Sequence, residues 1–173
     1  RAIAVADTYR FSHDKGWLAQ QLPLLLQGTD WVRQRRRQTM TTPDNNERPL
    51  HYGLLPMGSS GGDMARQGYA LFPNFASWRN LLDTALLCDA LGDNATAESL
   101  RQEAADYYQC LLRVVDALYQ EQATPPFLPL VAGETKARFG DYYQLETHFM
   151  LDVWPFALSD PRINYISRFL EAD

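Results

Sequence analysis

Apolar residues recur at spacings of three and four along most of this chain, the period of helices that bury one face. The spacing predicts a first helix over residues 14–37, with Ser12 as its cap and Trp17, Leu18, Leu22, Leu25, Leu26 and Val32 inward. Pro23 lies inside it and is expected to kink it, because proline lacks an amide donor and crowds the preceding turn. A second helix is predicted over 75–91, where Trp78, Leu81, Leu82, Ala85, Cys88 and Leu91 form one stripe. Leu86 and Leu87 fall off that stripe, so this helix is apolar almost all round and is expected inside. Gly92 stops it, and Asp93 or Asn94 caps a third helix reaching about Tyr119. That third helix is amphipathic and is expected outside. Ala97, Leu100, Ala104, Tyr108, Leu111, Val115 and Leu118 line one side, and Glu98, Gln102, Asp106, Gln109, Arg113 and Asp116 the other.

After a proline-rich connector, a fourth helix is predicted from near Asp141 to just before Pro155. A fifth starts with Asp160 as cap and Pro161 at its first position, with Ile163, Ile166, Phe169 and Leu170 inward. No run alternates with period two over strand length, so the chain reads as all-α, a series of antiparallel helical hairpins. The links from helix one to two (about 35 residues) and three to four (about 20) are long, and the others take only a few residues. Short links make neighbours antiparallel, which places both long connections, and the N-termini of helices two and four, at the same end. Such an end is the expected binding face, with free N–H groups at the helix starts.

Composition removes several classes of function. The chain has 173 residues, 46% of them hydrophobic, enough for one sizeable core and one helical unit. A net charge of -5 argues against a nucleic-acid partner, whose phosphates require clustered cations. The one basic run, Arg33, Arg35, Arg36 and Arg37, reads as a solvated last helical turn that complements the macrodipole. The LPLLL segment is broken by Pro23 and no stretch is long enough to cross a membrane. Cys88 and Cys110 sit on apolar faces as buried thiols, with no metal-ligand spacing and no histidine partner for nucleophilic catalysis. His148 and Asp152 share a helix face but lack a third ligand, so no metal site and no cofactor is expected. Asn94-Ala95-Thr96 matches a glycosylation sequon and equally suits a helix start. The chain opens at RAIAVADTYRF with neither an initiator Met nor a signal peptide, which reads as a piece of a longer protein with no compartment legible.

Candidate chemistry concentrates in HYGLLPMGSSGGDMARQGYALFPNFASW, residues 51–78, read as a long loop feeding the second helix and forming the floor of a binding site. Its aromatic density is foreign to a disordered linker. Aromatic faces with planar polar partners suit sugars, whose rings present C–H faces and diverging hydroxyls. Tyr52, Tyr69, Phe72, Trp78 and Tyr142 are candidate platforms, and His51, Asn74 and Arg79 candidate hydrogen-bonding groups. Asp63, Asp141 and, one turn into helix four, Glu146 are the candidate carboxylates of the long-loop face.

The segments YRFSHDKGWL at 9–18, 23–31, HYGLLPMG at 51–58 and ALGDNATAESLRQEAADYYQCL resemble the helical hairpins of six-hairpin α/α-toroid glycosidases. The resemblance covers nearly the whole chain, which would span about half of such a toroid. It implies inner and outer helices around a central cavity, a carbohydrate substrate at the long-loop end, and hydrolysis by two carboxylates flanking the glycosidic bond. Two other readings stand beside it: a noncatalytic helical-repeat scaffold binding protein on its loop face, and a polysaccharide lyase on the same toroid. A scaffold would favour a fixed repeat period, which the helix pairs do not show. Half a toroid would leave an apolar flank to be closed by the remainder of its own chain or by a second copy.

Overall fold

The computed structural model describes residues 2–43, 47–60, 66–124, 126–133, 153, 155–157 and 159–163. Four helices dominate it: α1 (Ala2–Ser12), α2 (Lys15–Arg37), α3 (Leu71–Leu91) and α4 (Asn94–Leu118). Three short strands, β1 (Gly58–Ser60), β2 (Arg66–Ala70) and β3 (Val131–Ala132), and a 3₁₀ turn at Pro161–Ile163 complete the described elements. The helical class read from the periodicity therefore holds. The predicted fourth helix over 141–154 and most of the fifth lie outside the described residues, although Asp160 does accept from the Arg162 amide at the start of the 3₁₀ turn.

The helix ends follow local chemistry. Asp14, rather than Ser12, caps α2 by accepting the Trp17 amide at 2.9 Å. The additional helix α1, unassigned from the sequence, precedes it, and His13 makes the break with a φ of 52°. Pro23 lies within α2 and the helix runs on to Arg37. Gly92 takes a φ of 85°, and the amides of Gly92 and Asp93 return to the carbonyls of Asp89 and Cys88, the paired bonds that end a helix in a left-handed residue. Asp93 then accepts the Thr96 amide and caps α4, so the Asn94-Ala95-Thr96 sequon falls on an ordinary helix start.

Helix α3 is the central element, packed on α1, α2 and α4. Pro73 and Leu86 are its exposed positions, whereas α4 keeps a continuous exposed polar side, as the patterning predicts. The two-residue link makes α3 and α4 antiparallel: Asn74 meets Tyr107 near one end, and Asp89 meets Arg101 near the other. Between them Leu71, Phe75, Leu81, Ala97, Leu100, Leu111 and Val115 form the main core. A second cluster of Ala2, Val5, Ala6, Leu18, Leu25 and Leu87 joins α1, α2 and α3.

The small antiparallel sheet, in the order β1-β2-β3, is the main departure from the all-helical expectation. Its strands are short, and β1 and β2 are glycine-containing and polar (GSS and RQGYA), so no period-two signal marks them. β1 and β2 form a local hairpin, whereas the pairing of β2 with β3 is long-range. Tyr69 and Ala70 face Ala132 and Val131, and the Leu71 amide donates to the Leu130 carbonyl. This pairing brings the two long connections to the same end of the helices, as the antiparallel argument requires.

Gly53 tests the closeness of packing at that end. It has a φ of 77°, and a Cβ there would stand 2.5 Å from the Cys110 sulfur. Gly53→Ala is expected to lower unfolding free energy by about 1 to 3 kcal/mol through backbone strain and overpacking, measured by urea denaturation. An unchanged midpoint would contradict the close approach of the loop to α4.

Candidate functional site

The loop end is built on a buried cation. Arg36, on the last turn of α2, is fully buried, and its Nε donates to the Gly53 carbonyl at 2.8 Å. One terminal nitrogen pairs with Glu103 and the other with Asp106, at 2.7 Å for the latter. The guanidinium lies 4.0 Å from the Tyr107 ring centre, a cation–π contact. This overturns the reading of all four arginines as a solvated turn. The apolar stripe of α2 continues through Leu25, Thr29 and Val32 to Arg36 at helical spacing, and all four are buried. Among the described residues, α4 supplies the carboxylates that make that position tolerable.

The network extends to the start of α3. Tyr107 donates its hydroxyl to Asn74 Oδ1 at 2.7 Å, the same oxygen accepts the Leu55 amide at 2.8 Å, and Asn74 Nδ2 donates to the Ala70 carbonyl. Thr39 bonds the Leu54 carbonyl, and Arg113 donates to the carbonyls of Arg48, Leu50 and Tyr52. The loop that runs past Gly53 is thus fixed from α2, α3 and α4 together. Burial pushes the Tyr107 phenol well above its ordinary range, so it stays a donor.

Beside this network lies a cleft of about 260 Å³. Trp31 and Arg35 of α2 form one wall, Leu55, Pro56 and Met57 the loop side, and Gly58, Gly68, Ala70, Pro73 and Asn74 the hairpin and the start of α3. Trp31 and Met57 are about half exposed, at 50% and 56%, although both are large apolar side chains. The Arg35 guanidinium lies 5.5 Å from the Trp31 ring centre. Sequence reasoning missed Trp31, Arg35 and Met57. The available signal was Trp31 falling off the buried stripe of α2, next to Val32, which lies on it.

The residues predicted from sequence divide among several places. Asn74 reaches the cleft wall, but its side chain is 1% exposed and spent on Leu55, Ala70 and Tyr107, so it holds structure. His51 and Tyr69 stack face to face with centroids 4.4 Å apart. Gly68 and Ala70 on β2 line the cleft, and alternation along a strand turns Tyr69 to the other face. Tyr52 lies between Arg48 and Arg113, at 4.6 and 6.0 Å. Trp78 joins an aromatic cluster with Tyr108, which in turn meets Phe156. Arg79 pairs with Asp83, a buried carboxylate that also faces Arg10 of α1. Of the expected cleft residues, His51 and Tyr69 are thus brought together, while the contacts of Tyr52 and Trp78 run to Arg48, Arg113 and Tyr108. Asp63, Asp141, Tyr142, Glu146, His148 and Asp152 lie outside the described residues.

Of the expected free N–H groups at the start of α3, the Leu71 amide is taken by Leu130 and Pro73 has none. Burial raises the Cys88 thiol to about 11 and pushes Cys110 upward, so neither supplies a thiolate at neutral pH. Among the described residues no three His, Cys, Asp or Glu side chains cluster to hold a metal, and no helix is long and apolar enough to cross a membrane. No family model, curated protein or solved structure matches this chain.

Trp78→Ala discriminates packing from binding. It removes half-buried aromatic surface from the cluster with Tyr108 and is expected to destabilise by about 2 to 4 kcal/mol in chemical denaturation. Any ligand affinity of the folded variant at the Trp31 cleft should match the parent chain; a specific loss of affinity at full stability would return Trp78 to the binding site.

Proposed function

We propose that this chain forms part of a carbohydrate-active enzyme built on an α/α toroid, a glycoside hydrolase, and that sugar binds in the cleft between α2 and the β1–β2 hairpin. The observation that carries the reading is Trp31: a large aromatic side chain left 50% exposed on the wall of a concave site whose floor is strand backbone and small residues. Such a ring offers a flat apolar face to sugar C–H groups, and the neighbouring guanidinium offers several directed donors to hydroxyls.

The toroid supplies the rest of the reading. Leu24 and Leu86 are exposed apolar side chains on α2 and α3, and in this proposal they meet further hairpins, from the remainder of the same chain or from a second copy. The hydrolytic step is assigned to paired carboxylates drawn from Asp63, Asp141 and Glu146, on the resemblance to toroid glycosidases. Asp63 falls between β1 and β2 in sequence, the strands on which Gly58 and Gly68 line the cleft. General acid and base groups on the two sides of a glycosidic bond are separated by roughly 5 to 9.5 Å, so at least two of the three must approach one bound ring.

Calorimetric titration with a panel of neutral and acidic oligosaccharides tests the binding. Trp31→Ala should weaken the affinity of any binder by about 1 to 3 kcal/mol without loss of fold. Reducing-end release should then fall in at least two of Asp63→Asn, Asp141→Asn and Glu146→Gln while affinity persists. Absence of binding across the panel, or full affinity in Trp31→Ala, would overturn the assignment of this cleft to sugar.

A further inference from the structure

We infer that the sugar taken by this cleft carries a carboxylate, a uronate residue held by Arg35; the inference rests on the proposal that the cleft binds sugar at all. Arg35 is the one charged side chain among the described residues lining the cleft, and it is exposed there. Its neighbours on α2 are spent: Arg36 is locked between Glu103 and Asp106, and Arg33 faces Asp30 and Glu103. Arg35 has no carboxylate partner among the described residues, and its contacts are one 3.4 Å bond to Gln38 and the face of Trp31. Its remaining N–H groups form a planar fork, the geometry that binds a carboxylate through two parallel bonds.

The surroundings favour the same ligand. The start of α3 lies against the cleft at Ala70, Pro73 and Asn74, so the positive end of that helix adds to the field. The Leu71 amide donates elsewhere and Pro73 has none, so neither competes with the guanidinium for the ligand. The chain as a whole carries -5, so attraction of an anion must be local to this wall. Trp31 beneath the guanidinium limits its motion, and a uronate would lay its ring on apolar surface while its carboxylate meets Arg35.

The test compares an oligogalacturonate bearing free carboxylates with the same oligomer fully methyl-esterified, titrated into the 173-residue chain at low and at moderate salt. The free acid should bind at least about tenfold more tightly than the ester, and added salt should narrow the gap. Arg35→Gln should abolish the preference, bringing free-acid affinity down to that for the ester, while Arg37→Gln, which alters an exposed charge one residue beyond the buried Arg36, should retain it. Arg35→Lys, which keeps the charge without the fork, should recover part of it. Equal affinity for acid and ester, or equal losses in Arg35→Gln and Arg37→Gln, would overturn the uronate assignment and leave the sugar site standing. A sulfated neutral oligosaccharide binding as tightly as the uronate would overturn the choice of carboxylate. Failure of every saccharide to bind would remove both this inference and the proposal beneath it.

Discussion

The loop end of this protein depends on the burial of Arg36. A guanidinium cannot lose its charge to escape desolvation, so a fully buried arginine is stable only where acceptors are arranged around it. Here α4 contributes Glu103 and Asp106, the loop contributes the Gly53 carbonyl, and Tyr107 contributes its ring. The geometry is reciprocal. Gly53 approaches α4 closely because it has no Cβ to meet Cys110, and that approach presents its carbonyl to the arginine. Tyr107 then passes the constraint to Asn74, whose amide oxygen receives both the tyrosine hydroxyl and the Leu55 N–H.

That chain of contacts is what shapes the cleft. Leu55, Pro56 and Met57 form one wall immediately after Gly53, and Asn74 stands at the opposite side, so the network fixes both. Trp31 precedes Arg36 on α2 by little more than one turn and faces the other way, outward into the cleft. One helix thereby buries its charge and exposes its tryptophan. This inverts the usual partition of the two residue types.

Much of the architecture was legible because it rests on local patterns. The stop at Gly92, the cap at Asp93 and the contrast between a nearly all-apolar α3 and an amphipathic α4 follow from short-range sequence chemistry. The shared end of the two long connections followed from link length alone. What escaped was set by distant partners. Arg36 belongs to a run of arginines, and only its register with Leu25, Thr29 and Val32 separates it from its solvated neighbours. Strand β2 pairs with β3, far along the chain, through contacts that no alternation announces. His51, Tyr52 and Trp78 looked like ligand groups because aromatic and polar residues were dense there, yet each had a protein partner: Tyr69, two arginines and Tyr108. Density of suitable residues does not reveal which side chains the fold has already used.

The most direct measurement of the central claim is amide hydrogen exchange on Arg36→Met, a substitution that keeps the side chain's bulk while removing its donors. The loop amides of Tyr52, Leu54 and Leu55 bond to Pro49, His51 and Asn74, and they report on the anchored segment. Loss of the anchor should speed their exchange by about tenfold or more relative to core amides of α3 such as Leu81 and Leu87. Unchanged loop protection, or an equal loss in loop and helix core, would contradict the view that one buried arginine holds this end of the molecule in place.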